Sequence, residues 1–345
     1  MPHVMTVRGP VDPAAIGATL THEHIFWSAE QFWDPSDLTD PALGEQPMTA
    51  SLGGLARWSN AAFLDNLRQH PEADYETIRD EIADFVAAGG GCIVELTIEG
   101  ITPYPEALRR ISEDLDLHVV EGVGFYVKAT HPEWLEQASV DELEAHLHRE
   151  VTEGVHGTGV RPGIIGEIGT STQLEPAEER VLRASARVAQ RTGLPINVHC
   201  DPPALEVVLQ ILDVLESEGH DLTHTSLSHL DEITDLDYHE GVLQRGVITG
   251  FDSFGQDGYF EPTWKSLSDL EKMQTMVSLI ERGYEDQLVV SQDMGKKHYL
   301  KRYGGMGYDH VLQRIVPRLR GSFGVGEATI EKLLVGNPRR LLTIA

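Results

Sequence analysis

Two histidines near the start of the chain are the first residues whose type and spacing suit chemistry. In LTHEHIFW, residues 20–27, His22 and His24 are separated by a single glutamate. Side chains at positions i and i+2 of a β-strand point to the same face, so both imidazoles can reach one divalent metal ion. A His-x-His pair alone is weak evidence, because a polar strand end has the same pattern. Further ligands must therefore come from other parts of the chain.

Eight short apolar runs, most of them followed by an amphipathic segment, are the elements that must position such ligands. Runs rich in Val, Ile and Leu on both faces are typical of strands in a covered parallel sheet. The intervening segments have helical spacing: one begins at Pro176 and ends at Gly193, another runs from Leu205 to Gly219, and a third covers residues 262–283. This alternation favours an α/β fold, a (β/α)8 TIM barrel in a single domain of residues 1–345, over a doubly wound sheet. The predicted strands are residues 17–25, 91–97, 118–126, 163–169, 195–200, 225–230, 246–252 and 287–293.

Potential metal ligands recur at the carboxyl ends of these predicted strands, where the active site of such a barrel lies. Imidazoles and carboxylates suit Zn, Mn, Fe or Co, and the lack of a cysteine cluster argues against a closed structural zinc site. Two adjacent ions would also need a bridging carboxylate. We predict a metal site with these ligands: His22, His24, Glu167, His199, His229 and Asp293.

Composition argues against several other classes of protein. No stretch of the chain approaches the roughly 18 consecutive apolar residues of a membrane span. The first residues lack the basic start and apolar run of a secretory signal, and only two cysteines occur, so we predict a cytoplasmic protein without disulfides. A net charge of −28 argues against binding to nucleic acid or anionic membranes. We expect a small-molecule substrate, and aromatic residues in a long insertion, residues 26–90, suggest a homodimer.

Motifs spread along the chain resemble those of the phosphotriesterase-like branch of the amidohydrolase superfamily, and they occur in family order between residues 4 and 343. The resemblance implies a (β/α)8 barrel with a binuclear metal centre. It implies His22, His24 and Asp293 on one metal, His199 and His229 on the other, and a bridging carboxylate from the fourth strand. Zinc is the expected metal, with Mn, Fe or Co as alternatives. The motifs are VMTVRGPV, TLTHEH, GIIGEIGTS, TGLPINVHC, LSHLDE, FDSFG, SQD and YGGMGYDHVL.

The bridging position departs from the best-known members of that branch, which use a carboxylated lysine. No lysine occurs between Lys128 and Lys265, so Glu167 is the acidic candidate, and the pattern is similar to that of the phosphotriesterase-related proteins. Alignment from the upstream residues places Gly166 at the lysine position, whereas alignment from the downstream threonine places Glu167 there. Because a one-residue shift turns a side chain to the other face, we predict a bulge or register change around Gly166.

The predicted activity is metal-dependent hydrolysis of an ester, a lactone or a small N-acyl amide. A hydroxide that bridges the two ions would attack the substrate, and Asp293 would act as the catalytic proton shuttle. Hydrolysis of a phosphotriester or another phosphoester is the main alternative. A deaminase with one metal ion and a metal-binding protein without turnover are two further alternatives.

Other residues near the strand ends have predicted supporting roles. We predict that Tyr126 contacts the substrate, with plain packing as the alternative, and one hypothesis for Asp252 is that it orients a ligand histidine. Glu23 is expected to make structural hydrogen bonds. The basic residues that follow Asp293 are interpreted as solvated loop charges, with attraction of an anionic substrate group as the alternative; they are Lys296, Lys297 and His298.

Overall fold

Eight parallel strands form one sheet whose strands are ordered as in the chain, in a computed structural model that describes residues 1–201, 204–261 and 264–345. Each neighbouring pair is parallel, as expected when a helical connection returns the chain to the same end of the sheet. All eight predicted strands are present; seven are shorter than predicted, and the fourth has the predicted length but is shifted by one residue. The strands are β1 Ala18–Glu23, β2 Gly90–Glu95, β3 His118–Val123, β4 Ile164–Thr170, β5 Ile196–Cys200, β6 Thr225–Leu227, β7 Ile248–Phe251 and β8 Leu288–Val290.

The first and last strands meet and nearly close the sheet into a barrel. The backbone amide of Asp293, just after β8, donates to the carbonyl oxygen of His22 at 3.1 Å. The amide of His22 donates to the Ser291 hydroxyl at 2.9 Å. Together with the alternating helices, these contacts confirm the predicted (β/α)8 fold.

Helices connect successive strands, and local sequence sets their ends. Pro176 occupies the first turn of one helix, and Gly193 ends it in the left-handed conformation at φ +74°, as predicted. The predicted helix from Leu205 is also present. Another predicted helical segment starts at Pro262 and Thr263, which lie outside the described residues. Within those residues, no helix combines the length and apolarity that a bilayer crossing requires. The helices are α1 Gly53–Trp58, α2 Pro71–Ala87, α3 Pro105–Asp114, α4 Val140–Glu153, α5 Pro176–Thr192, α6 Leu205–Ser217, α7 Leu236–Leu243, α8 Asp269–Glu281, α9 Val316–Gly321, α10 Glu327–Glu331 and α11 Asn337–Leu342.

A hairpin covers one end of the barrel and leaves the other end open. A hairpin of residues 4–11 lies at the amino ends of the strands, where Arg8 pairs with Asp116 immediately before β3. Buried Val4 packs there into an apolar cluster with Val120. This packing leaves the carboxyl ends of the strands as the end available for a site.

The long insertion after β1 is anchored beside those carboxyl ends. Its residues Trp27–Ser28 and Arg68–Gln69 form a two-stranded antiparallel ribbon. The amide side chain of Gln69 donates to the carbonyl oxygens of His24, at 3.3 Å, and Met294, at 3.1 Å. The insertion is therefore held against the ends of both β1 and β8.

Strand β4 contains the predicted irregularity. Its pairing with β5 shifts register between Ile165 and Ile168. Gly166 between them has φ +136°, a conformation that favours glycine, and a Cβ there would lie 2.3 Å from the carbonyl oxygen of Asn197. The prediction of a register change around Gly166 is therefore confirmed.

Candidate metal centre

The first group of predicted ligands lies where β1 and β8 end. The Nε2 atom of His24 lies 3.2 Å from Oδ1 of Asp293, and Nε2 of His22 lies 3.8 Å from the same oxygen. One donor atom from each residue lies within 4.8 Å of the others, close enough to surround one ion. The group is formed by chain segments about 270 residues apart, which the closure of the barrel brings together.

The second group is formed by Glu167 in the middle of β4, His199 near the end of β5 and His229 just after β6. The Nδ1 atom of His199 is 2.9 Å from Oε2 of Glu167 and 3.0 Å from Nε2 of His229. These donor atoms also lie within 4.8 Å of one another. The structure therefore brings all six predicted ligands together in two adjacent groups.

Glu167 lies between the two groups. Its Oε1 atom is 3.3 Å from Nε2 of His24, and its Oε2 atom is 3.4 Å from Nε2 of His22. The same Oε2 atom faces His199 and His229. After the register change in β4, this carboxylate faces the barrel axis, as a bridging role requires.

Asp252, immediately after β7, contacts two of the imidazoles at the Nδ1 atoms, on the side away from the centre. Nδ1 of His22 donates to Oδ2 of Asp252, and Nδ1 of His229 donates to Oδ1, each at 3.2 Å. These bonds assign the protons to Nδ1 and leave the Nε2 lone pairs directed toward the two groups. The hypothesis that Asp252 orients a ligand histidine is therefore confirmed, and the structure adds a second histidine to it.

Two of the six residues have left-handed backbones, with φ +62° at His229 and +49° at Asp293. Such a conformation costs about 1–3 kcal/mol for a residue other than glycine and needs support from its surroundings. The amide of His229 donates to Oδ1 of Asp252 at 2.9 Å, and the amide of Asp293 donates to the His22 carbonyl oxygen. Sharp turns after the strands therefore aim both side chains at the barrel axis.

The charges in the centre favour a cation. Burial opposes ionisation of Glu167, but the positive charges of His22 and His199 hold the pKa of its carboxyl well below its usual range. Burial also opposes protonation of His24, yet hydrogen bonds with Asp293 and Glu167 raise its pKa to about 9. The buried carboxylates thus stabilise positive charge at this point, whether ring protons or a bound cation carry it.

Glu23 points away from this centre and joins β1 to the end of β8. Its carboxylate accepts hydrogen bonds from the hydroxyl of Ser291 at 2.6 Å and from the amides of Gln292 and Met294 at 2.9 Å. The expected structural role is therefore confirmed.

Several residues around the centre were not identified from the sequence. The side-chain amide of Gln256 donates to Oδ2 of Asp293 at 2.8 Å, and Ser228 contacts Nδ1 of His22 at 2.9 Å. Buried Lys272 pairs with Glu232 at 2.8 Å below the cleft. Ser228 could have been found, since it precedes His229 at a strand end. Gln256 and Lys272 have no such signal, because loop and helix geometry brings them to the site.

A cleft of about 540 Å³ opens above the centre and includes Tyr126 in its wall. The Tyr126 hydroxyl lies 3.4 Å from Nε2 of His199.

The three basic residues after Asp293 have different surroundings. Lys296 also lines the cleft, whereas Lys297 is buried and pairs with Asp65 and Asp74, each at 2.9 Å. Buried His298 bonds to Asn66. The interpretation as solvated loop charges is therefore wrong for Lys297 and His298, because the insertion covers them.

Comparisons with known proteins agree with this geometry. The model of the Phosphotriesterase family matches residues 2–342. The N-acetyltaurine hydrolase of Tetraodon nigroviridis is 35% identical, with 99% of this chain and 97% of that protein covered. A resiniferatoxin-binding protein from Rhodobacter sphaeroides has a similar structure, with a TM-score of 0.93, 36% identity and coverage of 99% of this chain and 94% of that one. A lactonase from Listeria monocytogenes gives a TM-score of 0.80 at 25% identity, with 99% of each chain covered.

These likenesses extend over nearly the whole length of the chain and include hydrolases of two kinds. They agree with the barrel and with the motifs that carry the six side chains at its open end. The chain is a hydrolase that belongs to the phosphotriesterase family.

Proposed function

We propose that this protein is a metal-dependent hydrolase of small N-acyl amides, with two divalent ions, zinc by preference, held by the six predicted ligands. The observation that carries the proposal is the position of Glu167. Its carboxylate oxygens lie within 3.4 Å of ring nitrogens from both groups of ligands. N-acetyltaurine is the first compound to test, since relatives that act on it align over 99% of this chain.

The donor set fits divalent cations. Nε2 of His22 is fully buried and makes no hydrogen bond of good geometry to any residue within the described parts of the chain. Its Nδ1 proton is already held by Asp252, so the free lone pair suits a metal. When bound, divalent ions at these positions would polarise the scissile carbonyl and make water a better nucleophile near neutral pH.

Asp293 is the residue proposed to move the proton. Its Oδ2 atom accepts from Gln256, which orients the carboxylate and leaves Oδ1 on the side of the ligand histidines. Asp293 would take a proton from the attacking water as the water oxygen bonds to the acyl carbon. As the carbon–nitrogen bond breaks, the same proton passes to the leaving amine, so that acid and amine are the products. Tyr126 is proposed to contact the bound substrate from the wall of the cleft.

A substrate panel tests the proposal. Purified protein would be stripped with a chelator, reloaded with Zn or Mn, and assayed on N-acetyltaurine, lactones of several sizes and phosphotriesters. We expect activity only after reloading, two metal ions per chain by elemental analysis, and the highest kcat/KM on the amide. A preference for lactones would favour the activity of the Listeria neighbour. Full activity with one ion per chain, or with none, would contradict the binuclear proposal.

Asp252→Asn is expected to lower metal affinity and kcat/KM by about 10- to 100-fold, because loss of an outer partner leaves ligand imidazoles poorly oriented. His22 and His229 both depend on this carboxylate. Competition with a chromogenic chelator would measure the affinity, alongside the assay. Asp213→Asn, which alters an exposed aspartate paired with Arg245, is the matched control. Equal metal affinity in the two variants would exclude the orienting role.

A further inference from the structure

Lys296 is the one lysine that forms no ion pair with any of the residues that the structure describes. The chain contains seven lysines and 55 acidic residues, so an ammonium group readily finds a carboxylate. Among the residues that the structure describes, Lys296 has no carboxylate within 4.0 Å. The other six lysines all form ion pairs: Lys128, Lys265, Lys272, Lys297, Lys301 and Lys332.

The unpaired ammonium lies in the cleft above the candidate metal centre. Among the described residues that line this cleft, Lys296 is the one lysine or arginine. Its Nζ lies 4.8 Å from the centroid of the Trp27 indole, and that ring lies 6.0 Å from the ring of His24. Trp27 is itself buried and thus gives the ammonium a rigid wall. The ammonium, the Trp27 indole and the His24 imidazole therefore follow one another along the wall of the cleft.

The surroundings of Lys296 favour a ligand of opposite charge. Burial lowers the pKa of its ammonium to about 8 although the negative charge of Asp293 acts in the opposite direction, so the protein compensates the buried charge only in part. The acids deeper in the cleft already have partners: Glu232 pairs with Lys272, and Glu167 contacts the imidazoles. Asp201 is exposed at the rim. An anion that enters the cleft therefore meets one cation at its wall that has no carboxylate partner within 4.0 Å among the described residues.

The position along the chain indicates which part of the substrate the cation meets. Lys296 follows Asp293 by three residues in the same loop. Asp293 is the residue proposed to give its proton to the leaving nitrogen, so the loop that carries both residues lies on the side of the amine. An anion on the acyl side would lie away from this loop.

We propose that Lys296 binds an anionic group, a sulfonate or a carboxylate, on the amine portion of the substrate and so makes the enzyme selective for anionic N-acyl amides. This inference rests on the proposed amide hydrolysis and adds a specificity residue to it. A charge-assisted contact of this kind also orients the amide, because it ties the far end of the substrate to the cleft wall.

The test compares three N-acetyl amides of equal length, whose amine portions end in a sulfonate, a carboxylate or an uncharged hydroxyl. Their affinities would be measured by calorimetry on metal-loaded protein that carries Asp293→Asn, which prevents turnover during the measurement. The same protein with Lys296→Met added gives the comparison. Lys296→Met retains the length of the stem against Trp27 and removes the charge. Lys296→Arg restores the charge, and Lys128→Gln, at an exposed lysine paired with Glu175, is the control.

We expect Lys296→Met to weaken binding of one or both anionic amides by about 10- to 100-fold, the value of one charge-assisted hydrogen bond. The uncharged amide should change by less than about twofold, and Lys296→Arg should retain most of the affinity. Comparison of the sulfonate and the carboxylate identifies the preferred anion. The proposal would be overturned if Lys296→Met weakened the binding of charged and uncharged amides equally, or if it weakened neither. Absence of turnover in the wild type would instead refute amide hydrolysis, while the binding comparison would still decide the role of Lys296.

Discussion

Replacing Asp293 by asparagine is expected to lower kcat for amide hydrolysis by about 10²- to 10⁴-fold, the usual contribution of a positioned acid–base group. The asparagine side chain keeps an oxygen at the position of Oδ1, where it faces His22 and His24. Most of the metal should therefore stay bound. An amide cannot accept the proton of the attacking water, so the loss should fall on kcat rather than on metal content.

Elemental analysis and steady-state kinetics on the same preparation distinguish these effects. Asp80→Asn, at an exposed aspartate that pairs with Arg79 and does not line the cleft, provides a matched control. A variant that retains both its metal and its turnover would remove Asp293 from the proton pathway. Loss of the metal together with turnover would show that ligation is its principal role.

Replacing Glu167 by glutamine is expected to reduce the metal content from two ions per chain to one or none. The resulting fall in kcat should exceed the approximately 100-fold cost of losing an outer partner. The carboxylate is 1% exposed, and imidazoles from both ligand groups surround it. A neutral amide there supplies neither the charge nor the second ligand oxygen that two adjacent cations need.

Glu178→Gln is the matched control for loss of a buried carboxylate. Glu178 is also fully buried, in the helix that follows β4, and it accepts hydrogen bonds from Ser171 and from the amide of Lys128. We expect this variant to lose thermal stability and to keep two ions per chain. If Glu167→Gln also kept two ions and normal turnover, the bridging role would be excluded.

Much of the candidate site followed from residue type and position at strand ends. A His-x-His pair, single histidines and an aspartate that end apolar runs predict ligands at one end of a barrel, because parallel strands all present their carboxyl ends on the same side. The change of register at Gly166 was also predictable, since two alignments of one short motif disagreed by one residue. The cytoplasmic location and the homodimer stay predictions.

The supporting contacts could not be derived in this way. Gln256 reaches Asp293 from a loop, and Lys272 reaches Glu232 from α8. The same pair of adjacent lysines contains one buried ion pair, at Lys297, and one unpaired ammonium, at Lys296. No periodicity distinguishes the two, because the long insertion determines which of them is covered.

The sequence by itself determined the order of strands and helices, the end of the barrel at which the ligands lie, and the kinds of atoms that can bind metal. These properties are local, since hydrophobic period and turn chemistry act over a few residues. The tertiary structure alone decided which two histidines Asp252 orients, His22 and His229, and that Lys296 has no carboxylate partner among the described residues. Such contacts join segments up to 230 residues apart, and their geometry depends on how barrel closure and loop packing position whole elements.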